Sequence, residues 1–220
     1  ISEAVESLGV PTIFANCYER GLAGFCDQIA RDHKTHRIIS VDQRLENIAQ
    51  TRTTGIDLAL RYGLDLLGVG RVRGALEAQY LLGYELETGH QIVRGDGYYD
   101  LGVYPRIKAN LSGQWQHPGG ASAGFTLRYI GGFQECAGNN CNSADHRANA
   151  SRDVDRYLKL DVLAGYDLHS RIGKTSLQLG VSNALDAGPP LIYNAAAANS
   201  DATTYDFLGR MVFARMTQQF

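Results

Sequence analysis

From Gly55 onward, apolar and polar residues alternate along the chain with a period of two. Ile56, Leu58, Leu60, Tyr62 and Leu64 fall on one side of an extended chain, and Gly55, Asp57, Ala59, Arg61 and Gly63 on the other. That is the signature of a β-strand and not of a helix. The alternation then recurs. Val72, Gly74, Leu76, Ala78, Tyr80 and Leu82 oppose Arg71, Arg73, Glu77 and Gln79, and Val103, Ile107, Ala109, Leu111 and Trp115 oppose Arg106, Lys108, Asn110, Ser112 and Gln114. Ala123, Phe125, Leu127 and Tyr129 oppose Ser122, Gly124, Thr126 and Arg128. Leu158, Leu160, Val162, Ala164, Tyr166 and Leu168 oppose Tyr157, Lys159, Asp161, Gly165 and Asp167. Leu177, Leu179 and Val181 against Ser176, Gln178 and Gly180 make a sixth segment, and Leu208 to Phe220, with Val212, Ala214, Met216 and Phe220 on one side, a seventh.

The connections between these segments alternate in length. Leu66-Leu67-Gly68, His117-Pro118-Gly119-Gly120 and Ser170-Arg171-Ile172-Gly173 read as tight turns, whereas 85–100, 132–153 and 186–206 are long and polar. Short turns on one side and long loops on the other describe an outer-membrane β-barrel, with periplasmic turns and extracellular loops. A soluble β-sandwich also alternates, because one face of each sheet covers a core. Against it stand strands of about a dozen residues, near the membrane-spanning length, and a polar face carrying Arg, Lys, Glu and Asp, as a water-filled lumen allows. Tyr62, Tyr84, Trp115, Tyr129 and Phe220 fall near strand ends, where an aromatic girdle belongs. The expected fold is therefore all-β, an antiparallel transmembrane barrel formed by residues 51–220. Residues 1–50 read as an extracellular loop region, with short helical or irregular pieces at Glu3 to Leu8 and Tyr18 to His33 and a short strand at Ile38-Ile39-Ser40-Val41.

Composition narrows the function classes. A net charge of -2, from 21 basic and 23 acidic residues, offers no general attraction for nucleic acid. The 12 tyrosines, 7 phenylalanines and only 5 prolines suit many strands with interfacial aromatics. No stretch reaches the roughly 18 consecutive apolar residues of a membrane helix, and the start at Ile1 has neither Met nor a signal region. The protein is thus either soluble, or it spans a membrane as strands and its beginning is missing.

The four cysteines form two local pairs, Cys17 with Cys26 and Cys136 with Cys141, each among turn-forming or polar residues. They suggest two disulfide-closed loops and an oxidising compartment. The alternative, a zinc site, lacks the usual two-residue cysteine spacing and a matching histidine pair.

Three segments resemble TonB-dependent receptors. Asn47-Ile48-Ala49-Gln50-Thr51-Arg52-Thr53-Thr54-Gly55-Ile56-Asp57-Leu58 is similar to the family's run of Asn followed by Thr-x-Gly-Ile/Val-Asp, which opens a downward barrel strand. Gly180-Val181-Ser182-Asn183-Ala184-Leu185-Asp186 with Pro189-Pro190 resembles the run on its penultimate strand, with Ala184-Leu185 where Leu-Phe is commoner. Tyr205-Asp206-Phe207-Leu208-Gly209-Arg210 and the terminal Phe220 resemble the Y-D-x-x-G-R segment and last strand, whose C-terminal aromatic is the signal read by the barrel-assembly machinery. Gln218 departs from the apolar residue usual near that end. The segment of Cys17, Cys26 and Arg31 resembles a cysteine-bearing external loop of part of the family.

The resemblance implies the last seven or so of about 22 strands around a plugged lumen, in the outer membrane of a Gram-negative cell. It implies uptake of a scarce solute (an iron-siderophore, cobalamin or oligosaccharide) energised by a TonB complex acting through an N-terminal part that this chain lacks. The partners are then outer-membrane lipid, TonB, the assembly machinery and the solute; no cofactor and no enzymatic activity are expected. The lumen-facing charges Arg61, Arg73, Glu77, Arg106, Lys108, Arg128, Lys159 and Asp161 are the candidates for touching plug or solute, since charge on the lipid face costs several kcal/mol. A passive porin-like channel, an outer-membrane enzyme and a soluble β-sandwich binding module are the rival functions.

Other motifs carry less. Gly68-Val69-Gly70-Arg71-Val72-Arg73-Gly74 has its last glycine one residue late for a dinucleotide loop and joins two strands. His33 and His36 read as solvated beside Arg31, Asp32 and Lys34. Asn139, Asn140, Asn142 and Asp145 lack the spacing of a calcium loop.

Overall fold

The computed structural model describes residues 4–220 other than 7–8, 15–16, 19–20, 22, 44–45, 89–90, 100–101, 138–150, 172 and 196–197. In chain order its strands are β1 (Ala4–Glu6), β2 (Ile29–Arg31), β3 (Ile38–Val41), β4 (Glu46–Leu66), β5 (Gly70–Thr88), β6 (Gln91–Arg94) and β7 (Tyr98–Tyr99). There follow β8 (Ile107–Gln116), β9 (Ala121–Ile130), β10 (Phe133–Cys136), β11 (Ser151–Val154), β12 (Tyr157–Ser170), β13 (Gly173–Ser182) and β14 (Met211–Gln219). Two short helices, α1 (Val10–Phe14) and α2 (Ala23–Cys26), precede β2.

The main sheet runs β1-β4-β5-β8-β9-β12-β13-β14, with β6 added to the end of β5, and every neighbouring pair in it is antiparallel. Chain order and sheet order coincide, as an up-and-down wall built from hairpins requires. The register carries one lateral row of apolar residues after another across the sheet. Leu60, Leu76, Leu111, Leu127 and Leu160 stand side by side on β4, β5, β8, β9 and β12, and Phe125, Val162, Val181 and Val212 on β9, β12, β13 and β14. A slip of one residue in any pair would turn a whole strand over, so this agreement pins the register.

That face stays open: Leu60 is 55% exposed, Leu179 64%, Val212 72% and Met216 70%. A contiguous apolar surface of this kind is unstable in water and suits hydrocarbon, while the sheet's other face carries the charges. The outer edge of β14 and most of that of β4 have no strand partner among the described residues. Lipid satisfies no backbone group, so this sheet is a wall that further strands must close.

The three tight turns lie level at one end. Gly173 closes one of them at φ 116, and a Cβ there would collide with the Gln219 carbonyl oxygen of the neighbouring strand, so only glycine fits. β8, β9 and β13 have 10 residues each, enough to cross the bilayer. β4 and β5, with 21 and 19 residues, project past it on the loop side. A bulge between Thr54 and Gly55 marks where they leave the common sheet; a side chain on Gly55 would meet the Tyr80 carbonyl oxygen at 2.9 Å.

Several local expectations change. The first long strand begins at Glu46, inside the region read as loop, and Ala4–Glu6 pairs with it as a strand. Tyr18 to His33 contains the expected short helix, α2, but also the strand β2. β8 starts at Ile107, and Val103 is buried among loop residues instead of on the lipid face. Tyr84 stacks on Tyr104 with ring centroids 4.0 Å apart, within the loop end and not in a membrane girdle.

Candidate functional site

The long loops fold inward over the polar face. Ile130 and Tyr157 pair directly across β9 and β12 on that face, and water would be a poor neighbour for either. They are covered by Val103, Phe133, Val154, Ile192 and Tyr205, which together form the buried core of the loop end. The sheet's polar wall is thus capped at one end by an apolar plate made of its own loops.

Residues 183–210 supply Ile192 and Tyr205 to the cover, and both ends of this loop are fastened. Asn183 is completely buried at φ 53, a left-handed conformation that asparagine tolerates. Its amide donates to the carbonyls of Ala187, at 2.9 Å, and Leu208, at 3.3 Å, and its oxygen accepts from the Ala187 N–H at 2.9 Å. Asp186 accepts from the Arg210 N–H at 2.9 Å, with the Arg210 guanidinium 3.8 Å away. The two sequence runs around Asn183 and around Arg210 therefore lock to each other, which explains their residue types without any ligand.

Between these fastenings, residues 199–206 form a strap against the wall. Asp201 caps a turn by accepting from the Thr203 N–H and hydroxyl at 2.8 and 2.6 Å. Tyr205 then meets Tyr157 edge to face, centroids 5.3 Å apart. Lys159 donates to Asp206 at 2.6 Å, Arg128 to the Thr204 carbonyl at 3.3 Å. The Lys159 ammonium, seconded by the Leu208 N–H, holds the Asp206 carboxyl below its ordinary range. Burial, with Asp201 nearby, pushes the Tyr205 phenol up.

A second clamp joins the β10–β11 hairpin to the same loop. Glu135 is fully buried, and it is matched by the Arg152 guanidinium at 2.8 Å and by the N–H groups of Tyr193 and Asn194 at 3.1 and 3.0 Å. Three donors on one carboxylate offset its desolvation. Arg152 in turn lies over the Tyr193 ring at 3.9 Å.

Of the sequence candidates, the structure gathers Arg128, Lys159 and Asp161 at the strap. Asp161 lies 3.9 Å from Lys159 and accepts from the Ser182 hydroxyl and the Asn183 N–H at 2.8 and 2.7 Å. Lys108 is half-buried one rung from Arg128 on β8. Arg61 pairs with Glu77 at 3.0 Å further down the wall, where Arg73 lines the same shallow depression as Arg61. Arg106 precedes β8 and pairs with Asp96 at 2.9 Å, so it belongs to the loop end. Phe220 follows β14 and is fully exposed.

Cys17 and Cys26 form a disulfide. Cys136 is also disulfide-bonded, while Cys141, its expected partner, and the 139–145 oxygens lie outside the described residues. Among the described residues no cluster of three His, Cys, Asp or Glu is placed to hold a metal. Sequence reasoning misses Glu135 and Arg152, and it reads Tyr205 only as part of a family-like run. Its available signal is Ile130 and Tyr157, whose apolar bulk breaks the polar face.

A wall with one apolar and one charged face, tight turns at one end and folded loops at the other is the arrangement of an outer-membrane barrel. The family profile described as TonB dependent receptor-like, beta-barrel, matches residues 13–184. No curated protein and no solved structure matches. Barrels of that family are outer-membrane receptors and transporters. The chain belongs to the TonB-dependent receptor family, as part of its β-barrel.

Proposed function

We propose that the parent protein imports a scarce solute across the outer membrane and that a TonB complex energises the step. The observation that carries this reading is the family match over residues 13–184. The loop cap supports it: a wide diffusion pore has no need of a lock between its loops as extensive as those at Asn183 and Glu135. On this reading Arg61, Arg73, Glu77, Lys108, Arg128, Lys159 and Asp161 line the lumen and touch plug or solute, with Arg106 at its mouth. Residues 1–50 are extracellular, and Phe220 serves the barrel-assembly machinery. Iron-siderophore, cobalamin and oligosaccharide remain the candidate solute classes.

The test is growth on the solute as sole source, with the full-length gene, in strains with and without TonB. Growth requires both on this reading. Uptake unchanged in the strain lacking TonB overturns active transport and makes the protein a passive channel.

A further inference from the structure

The strap and the wall meet through groups that a solute can take over. Arg128 and Lys159 stand directly opposite each other across β9 and β12. Like charges so placed are unfavourable unless an anion sits with them. Asp206 provides the nearer one, at 2.6 Å from Lys159, with Asp161 of the wall at 3.9 Å. Arg128 has no carboxylate partner among the described residues, and its strap contact is a neutral carbonyl at 3.3 Å. A guanidinium fork binds an oxyanion far better than a single carbonyl.

The seat of the strap is also imperfect. The hydroxyls of Tyr157 and Tyr205, 2% and 4% exposed, are buried at this contact without a hydrogen-bond partner among the described residues. Each resists staying there, because water would satisfy it. Apolar cover, the Lys159–Asp206 ion pair and the single Arg128 bond to the Thr204 carbonyl hold the strap down; two unsatisfied phenols favour its release.

We propose that Arg128 and Lys159 form a binding site for an oxyanion group of the solute, and that its arrival displaces Asp206 and lifts residues 199–206 from the wall. Strap and solute are then alternative ligands of the same two cations. Linkage makes the effect reciprocal: weakening the strap's hold strengthens anion binding by the same factor. The inference rests on the polar face being the lumen of a transporter. It does not rest on how transport is energised.

The experiment uses the purified full-length receptor in detergent, without TonB, so its result is independent of the uptake assay. Hydrogen exchange of the peptide 199–210 is followed with citrate, with inorganic phosphate, and with sodium chloride at matched ionic strength. Calorimetry gives the affinities. Citrate or phosphate should speed exchange in 199–206, the better of the two indicating whether a carboxylate or a phosphate is read, and chloride should not. Asp206→Asn should exchange fast without any anion and bind the better probe about tenfold more tightly. Lys159→Met should lose the anion response, with heat-modifiable migration showing that the barrel is folded. The proposal fails if neither probe changes exchange in the wild type. It fails equally if Asp206→Asn binds the probe no more tightly, or if Lys159→Met responds as the wild type does.

Discussion

Replacing Asn183 with alanine should undock the 183–210 loop while leaving the strands assembled. The side chain makes three hydrogen bonds in a fully buried position, each worth about 0.5–1.5 kcal/mol net. Alanine also holds φ 53 poorly, adding about 1 kcal/mol. The orphaned Ala187 and Leu208 groups regain water when the loop loosens, which limits the penalty to roughly 3 kcal/mol, about a hundredfold in the docking equilibrium. Native-state hydrogen exchange across 183–210 should accelerate by that factor. The β8–β9 and β12–β13 ladders should keep their protection, because none of their hydrogen bonds involves this side chain. Asn183→Gly separates the two terms: it removes the same hydrogen bonds but accepts the left-handed conformation, and should recover about 1 kcal/mol relative to alanine. If Asn183→Ala exchanges within about threefold of the wild type, the lock is not what holds the loop.

Three further outcomes are expected. Leu160→Arg, on the apolar row beside Leu127, should cost about 2–4 kcal/mol and abolish heat-modifiable folding, whereas Thr126→Arg, beside Asp161 on the other face, should fold; equal damage from both would refute the face assignment. Because the folded Asp206 carboxyl is held below its unfolded value, its contribution is fully present above about pH 4 and is lost as pH falls through the lower folded value. Protection factors in 199–206, corrected for the intrinsic pH dependence of amide exchange, should therefore be flat from neutrality to about pH 5 and fall only in stronger acid; a fall near neutrality would assign the hold elsewhere. Non-reducing peptide mapping should recover Cys17 linked to Cys26 and Cys136 linked to Cys141, and free thiols at these positions would remove the case for an oxidising compartment.

The strands are legible in the sequence because a barrel wall asks the same question at every residue, lipid or water, and the answer has a period of two. Their ends are not. Val103 keeps the parity of the strand that follows, yet it lies in the loop core, because four residues of irregular chain preserve parity as well as four residues of strand. Strand β4 has the reverse problem. Its first residues, from Glu46, lie beyond the membrane, where no apolar face is required, and so they show no alternation to read. The motif around Asn183 is recognisable as a pattern, but its partner is 25 residues away at Leu208, and no local rule joins the two. Glu135 is illegible for the same reason: a lone glutamate in a loop looks solvated until the folded chain brings Arg152 and the N–H groups at 193 and 194 around it.

Exceptions to an alternating pattern therefore carry information, provided two kinds are kept apart. Ile130 and Tyr157 interrupt the polar face and are 1% and 2% exposed, so something had to cover them, and the loops do. Leu163 and Phe213 interrupt it too, opposite Gly180 on either side, but each remains 37% exposed. The space above Gly180 is taken by Phe213 itself, since a Cβ on that glycine would lie 2.3 Å from the ring. A large ring leaning over a neighbouring glycine fills the gap in its own sheet and hides one face without outside help. Apolar residues paired with bulk point to a cover from elsewhere in the chain, and those paired with glycine are satisfied within the sheet. By that criterion the loop-end contact of Ile130 and Tyr157 is the place where the wall's sequence anticipates its cap.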